Sequence, residues 1–216
     1  MLKFVTKHRG REVETPSAVI NRLAERLSPR NLERAAQMGE QEMRKMMTRV
    51  ADELVRRHSG PWPGGTTATT LSKRTGKGIR SIRNFRVVKK GLEVDGVWRL
   101  TGYMNFHERG GVIRAKRSQY LTIPLPAALD GRGVPLRQSA RDWDNTFVAE
   151  SRAGNLIVFQ KRSRGDIVPL YVLKKFVRIP PRLGMRAEIV RNRPEFRRNL
   201  QAKIRELIAY QERGRR

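Results

Sequence analysis

An α+β fold, with helices first, a run of antiparallel strands next and a closing helix last, is the class this sequence predicts. Three observations predict it. Apolar residues recur at helical spacing up to about Arg57. From about Ser81 to Leu183 the pattern changes to short apolar runs bounded by turn residues. After Pro194 the helical spacing returns. Strands and helices do not alternate, which argues against a doubly wound parallel sheet. No internal repeat is present.

Thr15-Pro16 reads as an N-cap followed by proline in the first helical turn. Val19, Ile20, Leu23 and Leu27 then fall on one helix face. Ser28-Pro29 repeats the start signal and predicts a longer helix over 29–57. Its stripe is Leu32, Ala35, Ala36, Met43, Met46, Met47, Val50 and Leu54. Gly39 weakens this helix slightly or admits a close neighbour. The methionines read as adaptable core packing or as a face that meets another subunit. Ser59-Gly60-Pro61-Trp62-Pro63-Gly64-Gly65 stops the helix, because two prolines and three glycines in seven residues cannot continue it. The Thr-rich stretch that follows reads as an exposed loop.

Hairpins are expected where Lys90-Gly91 separates 84–89 from 92–99, and where Arg152 to Asn155 separates 146–149 from 156–159. Further strands are expected at 120–123, 167–173 and 176–179. Pro169 argues for a sheet edge or a strand start, and Pro180-Pro181 ends the region. Pro194 is expected to open the closing helix, whose stripe is Phe196, Leu200, Ile204, Leu207 and Ile208. Gly214-Arg215-Arg216 reads as a frayed basic tail. The expected division is a helical segment (1–58), a Gly/Pro/Thr-rich and basic loop (59–80), a β region (81–183) and a helix with basic tail (184–216), all within one domain.

Over 216 residues the net charge is +27, and hydrophobic residues make up 38%. The core is therefore lean, and a compact monomer repels itself unless an anionic partner is present. Cysteine is absent, which excludes disulfides and thiolate metal sites. The basic start without a following apolar run argues against a secretory signal. No stretch approaches the roughly 20 apolar residues of a membrane span, so a soluble protein made in the cytoplasm is expected.

Converging catalytic groups are not evident. None of His8, His58 and His107 has a metal-ligand neighbour at i+4. His107 and Glu108 would point to opposite faces of a strand. Asp142 and Asp144 could share a face as metal ligands do, but in a polar loop aspartate more commonly makes turns. Gly76-x-Gly78 is too short for a dinucleotide fingerprint. No catalytic residue, metal site or cofactor is expected. The basic runs are the stronger signal. Lys73, Arg74, Lys77, Arg80, Arg83 and Arg86 crowd one segment. Arg109, Arg114, Lys116 and Arg117 crowd a second. Lys161, Arg162 and Arg164 form a third. Each could contact phosphates or acidic protein without reading bases, or be a solvated face.

One layout is familiar. Thr75-Gly76-Lys77-Gly78-Ile79-Arg80-Ser81-Ile82 precedes two strands, and Tyr103-Met104-Asn105-Phe106-His107-Glu108-Arg109-Gly110-Gly111-Val112-Ile113 follows them. Tyr120 to Leu125 and Pro169 to Leu183 come next, before the closing helix. Over residues 70–208 this resembles the neck, tail-completion and minor tail proteins of tailed bacteriophages, the minor tail protein Z type above all. The segment from Ala127 to Trp143 and the Gly-Pro-rich loop depart from compact members. The resemblance implies a structural virion protein with a helix packed on a small sheet, assembled in a ring that is often hexameric. It implies connector, adaptor, tail-terminator or tail-tube neighbours at the head–tail junction, with no cofactor. Two other classes account for part of the sequence. A stand-alone non-specific nucleic-acid binder accounts for the charge, and a nuclease could use Asp142, Asp144 or Glu108.

Overall fold

The computed structural model describes residues 7–8, 11–12 and 27–213. The helix expected from Thr15-Pro16 and the tail from Gly214 lie outside the described residues. The fold is α+β, with helices and antiparallel sheets. It forms two compact units that are discontinuous in sequence, so they do not coincide with the consecutive segments expected above. One takes the described residues up to Arg56, Arg80–Leu100 and those from Met185. The other takes Arg57–Ile79 and Thr101–Gly184.

In the first unit, strands β1 (Lys7–His8) and β2 (Arg11–Glu12) form a short pair. Helix α1 spans Pro29–Arg57, as its start signal and stripe predict. Helix α2 (Lys77–Arg83), of which the residues from Arg80 belong to this unit, leads into the hairpin of β3 (Phe85–Lys90) and β4 (Glu93–Trp98), which turns at the predicted Gly91. Helix α4 (Met185–Arg213) closes the chain. Contacts between α1 and α4 run in opposite order along the two helices, so they are antiparallel. Asn31 Nδ2 donates to Gln211 Oε1 at 2.7 Å, Lys203 Nζ lies 2.8 Å from Glu42, and Arg49 pairs with Glu195.

Met43, Met46 and Met47 are buried within this chain, which is the packing role rather than an outward face. They meet β4. A Cβ added at Gly96 would fall 2.6 Å from Met47 Sδ and 3.2 Å from Met43 Sδ. Trp98 Nε1 donates to the Ile82 carbonyl at 2.9 Å, which ties the hairpin to the end of α2.

The second unit holds helix α3 (Gly102–Arg109), strand β5 (Gly111–Arg114) and strand β6 (Leu121–Pro124). Strands β7 (Thr146–Glu150), β8 (Leu156–Lys161), β9 (Ile167–Lys174) and β10 (Phe176–Ile179) follow. Four of them form a sheet in the order β6-β9-β8-β7, and β5 pairs with β10 as a separate ribbon, all antiparallel. Ala128, Val158, Leu170 and Tyr171 make the core on this sheet, with Trp143 against them. Trp143 Nε1 reaches Tyr171 Oη at 3.1 Å.

The structure corrects four expectations. Residues 102–109 are helical rather than extended, because the run of side chains after Thr101 buries Met104 on one face and Gly110 ends it. Gly110 has φ 71°, and its N–H closes onto the Phe106 carbonyl at 2.7 Å. The basic stretch at 77–83 is a helix, which buries Ser81 and Ile82. Pro194 lies inside α4 and does not open it. The ring removes one donor to the Val190 carbonyl, and Val190 is exposed enough for water to replace it. Pro169 sits on an interior strand. It falls where β9 has only β8 beside it, at a register shift that skips Leu170, so no ladder bond to β6 is lost.

Candidate functional site

The first basic cluster begins in the loop from His58 to Gly76, which its own hydrogen bonds order. Lys73 N–H donates to the Gly60 carbonyl at 2.8 Å and Gly65 N–H to the Pro61 carbonyl at 2.7 Å. Thr66 and Ser72 hydroxyls meet at 2.6 Å, and Thr70 Oγ1 donates to the Gly65 carbonyl at 2.7 Å. A Cβ on Gly65 would fall 2.6 Å from the Gly60 backbone, so glycine is required for this close approach.

Within that cluster the residues have different uses. The Arg74 guanidinium lies 4.0 Å from the centre of the Trp62 ring, so it helps to pack the loop. Arg83 pairs with Asp52 at 3.1 Å. Lys73, Lys77, Arg80 and Arg86 are exposed. Lys73, Arg74 and Lys77 belong to the second unit, and Arg80, Arg83 and Arg86 to the first.

The third cluster lies between β8 and β9. Lys161 ends β8 and is exposed. Arg162 N–H donates to the Asp166 carbonyl at 2.8 Å, and its Nε donates to Gln160 Oε1 at 3.3 Å. The Arg164 side chain lies outside what the structure describes.

The second cluster gains most from the fold. In the β5–β10 ribbon Arg114 stands opposite Phe176, and Val112 opposite Arg178. Residues two apart on a strand share a face, so these four share one, and all four are exposed. The Arg114 guanidinium lies 5.4 Å from the Phe176 ring centre. Ile113, Val177 and Ile179 face the other way and are half-buried. Pairing breaks after Arg114, where Ala115 N–H reaches the Lys175 carbonyl at 3.5 Å, and resumes at Leu121 opposite Lys174. Residues 115–120, with Lys116 and Arg117, therefore bulge from a nearly continuous ribbon opposite Lys175. Lys175, Phe176 and Arg178 carry no mark in the sequence that ties them to Arg114, about 60 residues away; only the register does so.

Glu42, Asp142, His58 and His107 have structural uses. Glu42 is buried on α1. Burial pushes its carboxyl up, but hydrogen bonds and charge from Lys203 and Lys45 outweigh this and hold it below the ordinary glutamate value. Asp142 Oδ2 accepts from Ser139 N–H at 2.8 Å in a capping box, which is the turn-forming role. Among the described residues no three His, Asp or Glu side chains converge as a metal site.

His58 is buried, accepts Leu71 N–H at Nδ1 (3.1 Å) and lies 3.0 Å from the Leu183 carbonyl through Nε2. These partners select the neutral tautomer with its proton on Nε2. Burial, above all, lowers its pKa. The Leu183 bond opposes the shift and the Arg57 charge adds to it. His107 Nδ1 is buried without a partner, and its carbonyl accepts Arg182 and Leu183 N–H at 2.7 and 2.8 Å. Its pKa is lowered first by burial, then by Arg182 and His58. Among the described residues neither His58 nor His107 has a nucleophile or carboxylate partner, and their hydrogen bonds act as a structural tie.

Among the described residues no helix is long and apolar enough to cross a membrane. No protein family, curated protein or solved structure matches the chain.

Proposed function

We propose that the chain is a non-catalytic structural subunit of a tailed-bacteriophage head–tail junction, of the tail-completion, neck or minor tail kind. It forms a ring with copies of itself, probed below by mass, and binds neighbouring connector and tail proteins in the virion. One observation carries the reading: three of the segments that resemble this family, 103–113, 120–125 and 169–183, distant in sequence, meet in one place. Gly111 pairs with Ile179, and Leu121–Pro124 pairs with Tyr171–Lys174. The His107 carbonyl takes the N–H groups of Arg182 and Leu183, and a Cβ on Gly110 would fall 3.1 Å from Pro181 Cδ. These three segments are therefore parts of one folded unit, whereas Ile82 and the hairpin after it belong to the other.

The free edge supports assembly as well. Strand β7 lies at the margin of the four-stranded sheet with Phe147 and Val148 exposed, a surface that a neighbouring subunit can cover.

Absolute mass by light scattering after size exclusion, at low and high salt, tests the proposal. A discrete oligomer that persists at high salt is expected, with ring particles by negative stain. A monomer at every concentration and salt, which also fails to join purified connector or tail-tube rings, would overturn it.

A further inference from the structure

We propose that the β5–β10 ribbon is a sequence-independent contact for the phosphate backbone of double-helical nucleic acid. This goes beyond the assembly reading and does not depend on it. Arg114 and Arg178 stand on the ribbon's exposed face, and Lys116, Arg117 and Lys175 lie at the adjacent break in pairing. None of the five has a carboxylate partner among the described residues. The sequence also supplies none nearby: residues 109–129 and 167–187 contain no Asp or Glu. Some cations elsewhere are matched, as Arg83 is by Asp52 and Lys203 by Glu42, although the net charge of +27 leaves others unpaired too. The ribbon is distinguished by five cations on two paired, acid-free segments, a surface open to an external anion.

Line density favours nucleic acid over an acidic protein. Four strand residues extend about 13 Å, and duplex DNA carries a phosphate every ~1.7 Å with both strands counted, so about eight phosphates lie along this length, part of them on the side facing the ribbon. Five cations match such a continuous anion. The arrangement does not suit base reading. The strand face offers two guanidinium groups beside Val112 and Phe176, and the adjacent break adds the carboxamide of Gln119, too few directed groups to read several base pairs in succession. Nor is it a stacking platform for single strands, since Phe176 is the one aromatic on that face and Arg114 already sits over its ring.

The test is fluorescence anisotropy of the full chain with a labelled 24-base-pair duplex of arbitrary sequence, titrated at several salt concentrations. Five phosphate contacts give a slope of log K against log salt of about −4.5, or about 500-fold weaker binding from 50 to 200 mM. The triple substitution Arg114→Gln, Arg117→Gln, Arg178→Gln reduces the slope to about −1.8 and the loss to about 12-fold. The corresponding triple Arg→Lys variant keeps the wild-type slope, which separates charge from folding. Arg34→Gln, Arg152→Gln, Arg205→Gln makes the same charge change at exposed positions outside the ribbon and alters the slope by less than about 1. The proposal is overturned by an equal loss in that control, by no duplex binding at 50 mM salt, or by tighter binding of a single strand. Polyglutamate that displaces the duplex at equal charge concentration would also overturn it, in favour of an acidic protein partner.

Discussion

Replacing His58 removes the tie that joins the end of α1 to the loop and to the segment before α4. In His58→Leu, Leu71 N–H and the Leu183 carbonyl each lose a partner. An unsatisfied buried group costs about 1–3 kcal/mol. Leu183 is fully buried whereas Leu71 is partly exposed, so water relieves the second loss, and a total of about 2–4 kcal/mol is expected. His58→Gln supplies one donor and one acceptor and recovers about half.

The same tie makes stability pH-dependent. Besides burial, Arg57 disfavours a second proton on His58, and Arg182 and His58 disfavour one on His107. Both histidines have folded pKa values below the ordinary 6.5. The unfolded chain therefore binds more protons as pH falls below about 6.5, and stability drops toward acid. The contribution is complete above that value and declines by at most about 1.4 kcal/mol per pH unit for each histidine. Urea unfolding between pH 7.5 and 5 measures it, in a range where most carboxylates remain ionised. Amide exchange at Leu71 reports the local break. His58→Gln should remove about half of the pH slope, His107 supplying the rest. A wild-type stability that is flat or rising from pH 7.5 to 5 would refute the reasoning.

Three other substitutions read separate parts of the fold. Gly133 has φ 75°, and a Cβ there would fall 2.6 Å from the Trp62 ring; Gly133→Ala should cost about 2–4 kcal/mol and shift tryptophan emission. Glu42→Gln leaves Lys203 and Lys45 without their carboxylate, but both are partly exposed, so the loss by urea unfolding should be about 1–2 kcal/mol. Val148→Lys on β7 should change the stability of the isolated chain by less than about 0.5 kcal/mol. It should lower the mass measured by light scattering if that edge is covered in the oligomer.

The elements that were legible in the sequence carry their own local signals. Ser28-Pro29 followed by the Ala/Met stripe defines α1, and Lys90-Gly91 places the first hairpin. Each depends on residues that are near neighbours in the chain. The misread elements depend on tertiary context. Residues 102–109 have apolar and aromatic residues that suit a strand or a helix. Burial of Met104 and closure by Gly110 decide for the helix. Pro194 carries a start signal, yet α4 begins nine residues earlier, where Met185 and Glu188 are buried. Packing there outweighs the one hydrogen bond that proline removes.

The basic clusters show the same limit in the candidate site. In one dimension, Lys73 to Arg86 is the largest of the three runs. Folding disperses it: Arg74 packs on Trp62, Arg83 meets Asp52, and the run divides between two units. The shorter run at Arg114 to Arg117 grows when antiparallel pairing brings Lys175 and Arg178 beside it. A charge run in sequence counts cations without their partners, whereas a binding surface depends on the cations left over after internal pairing. The absence of Asp and Glu from 109–129 and from 167–187 was visible in the sequence. It acquires meaning only from the register that makes those two acid-free segments one ribbon.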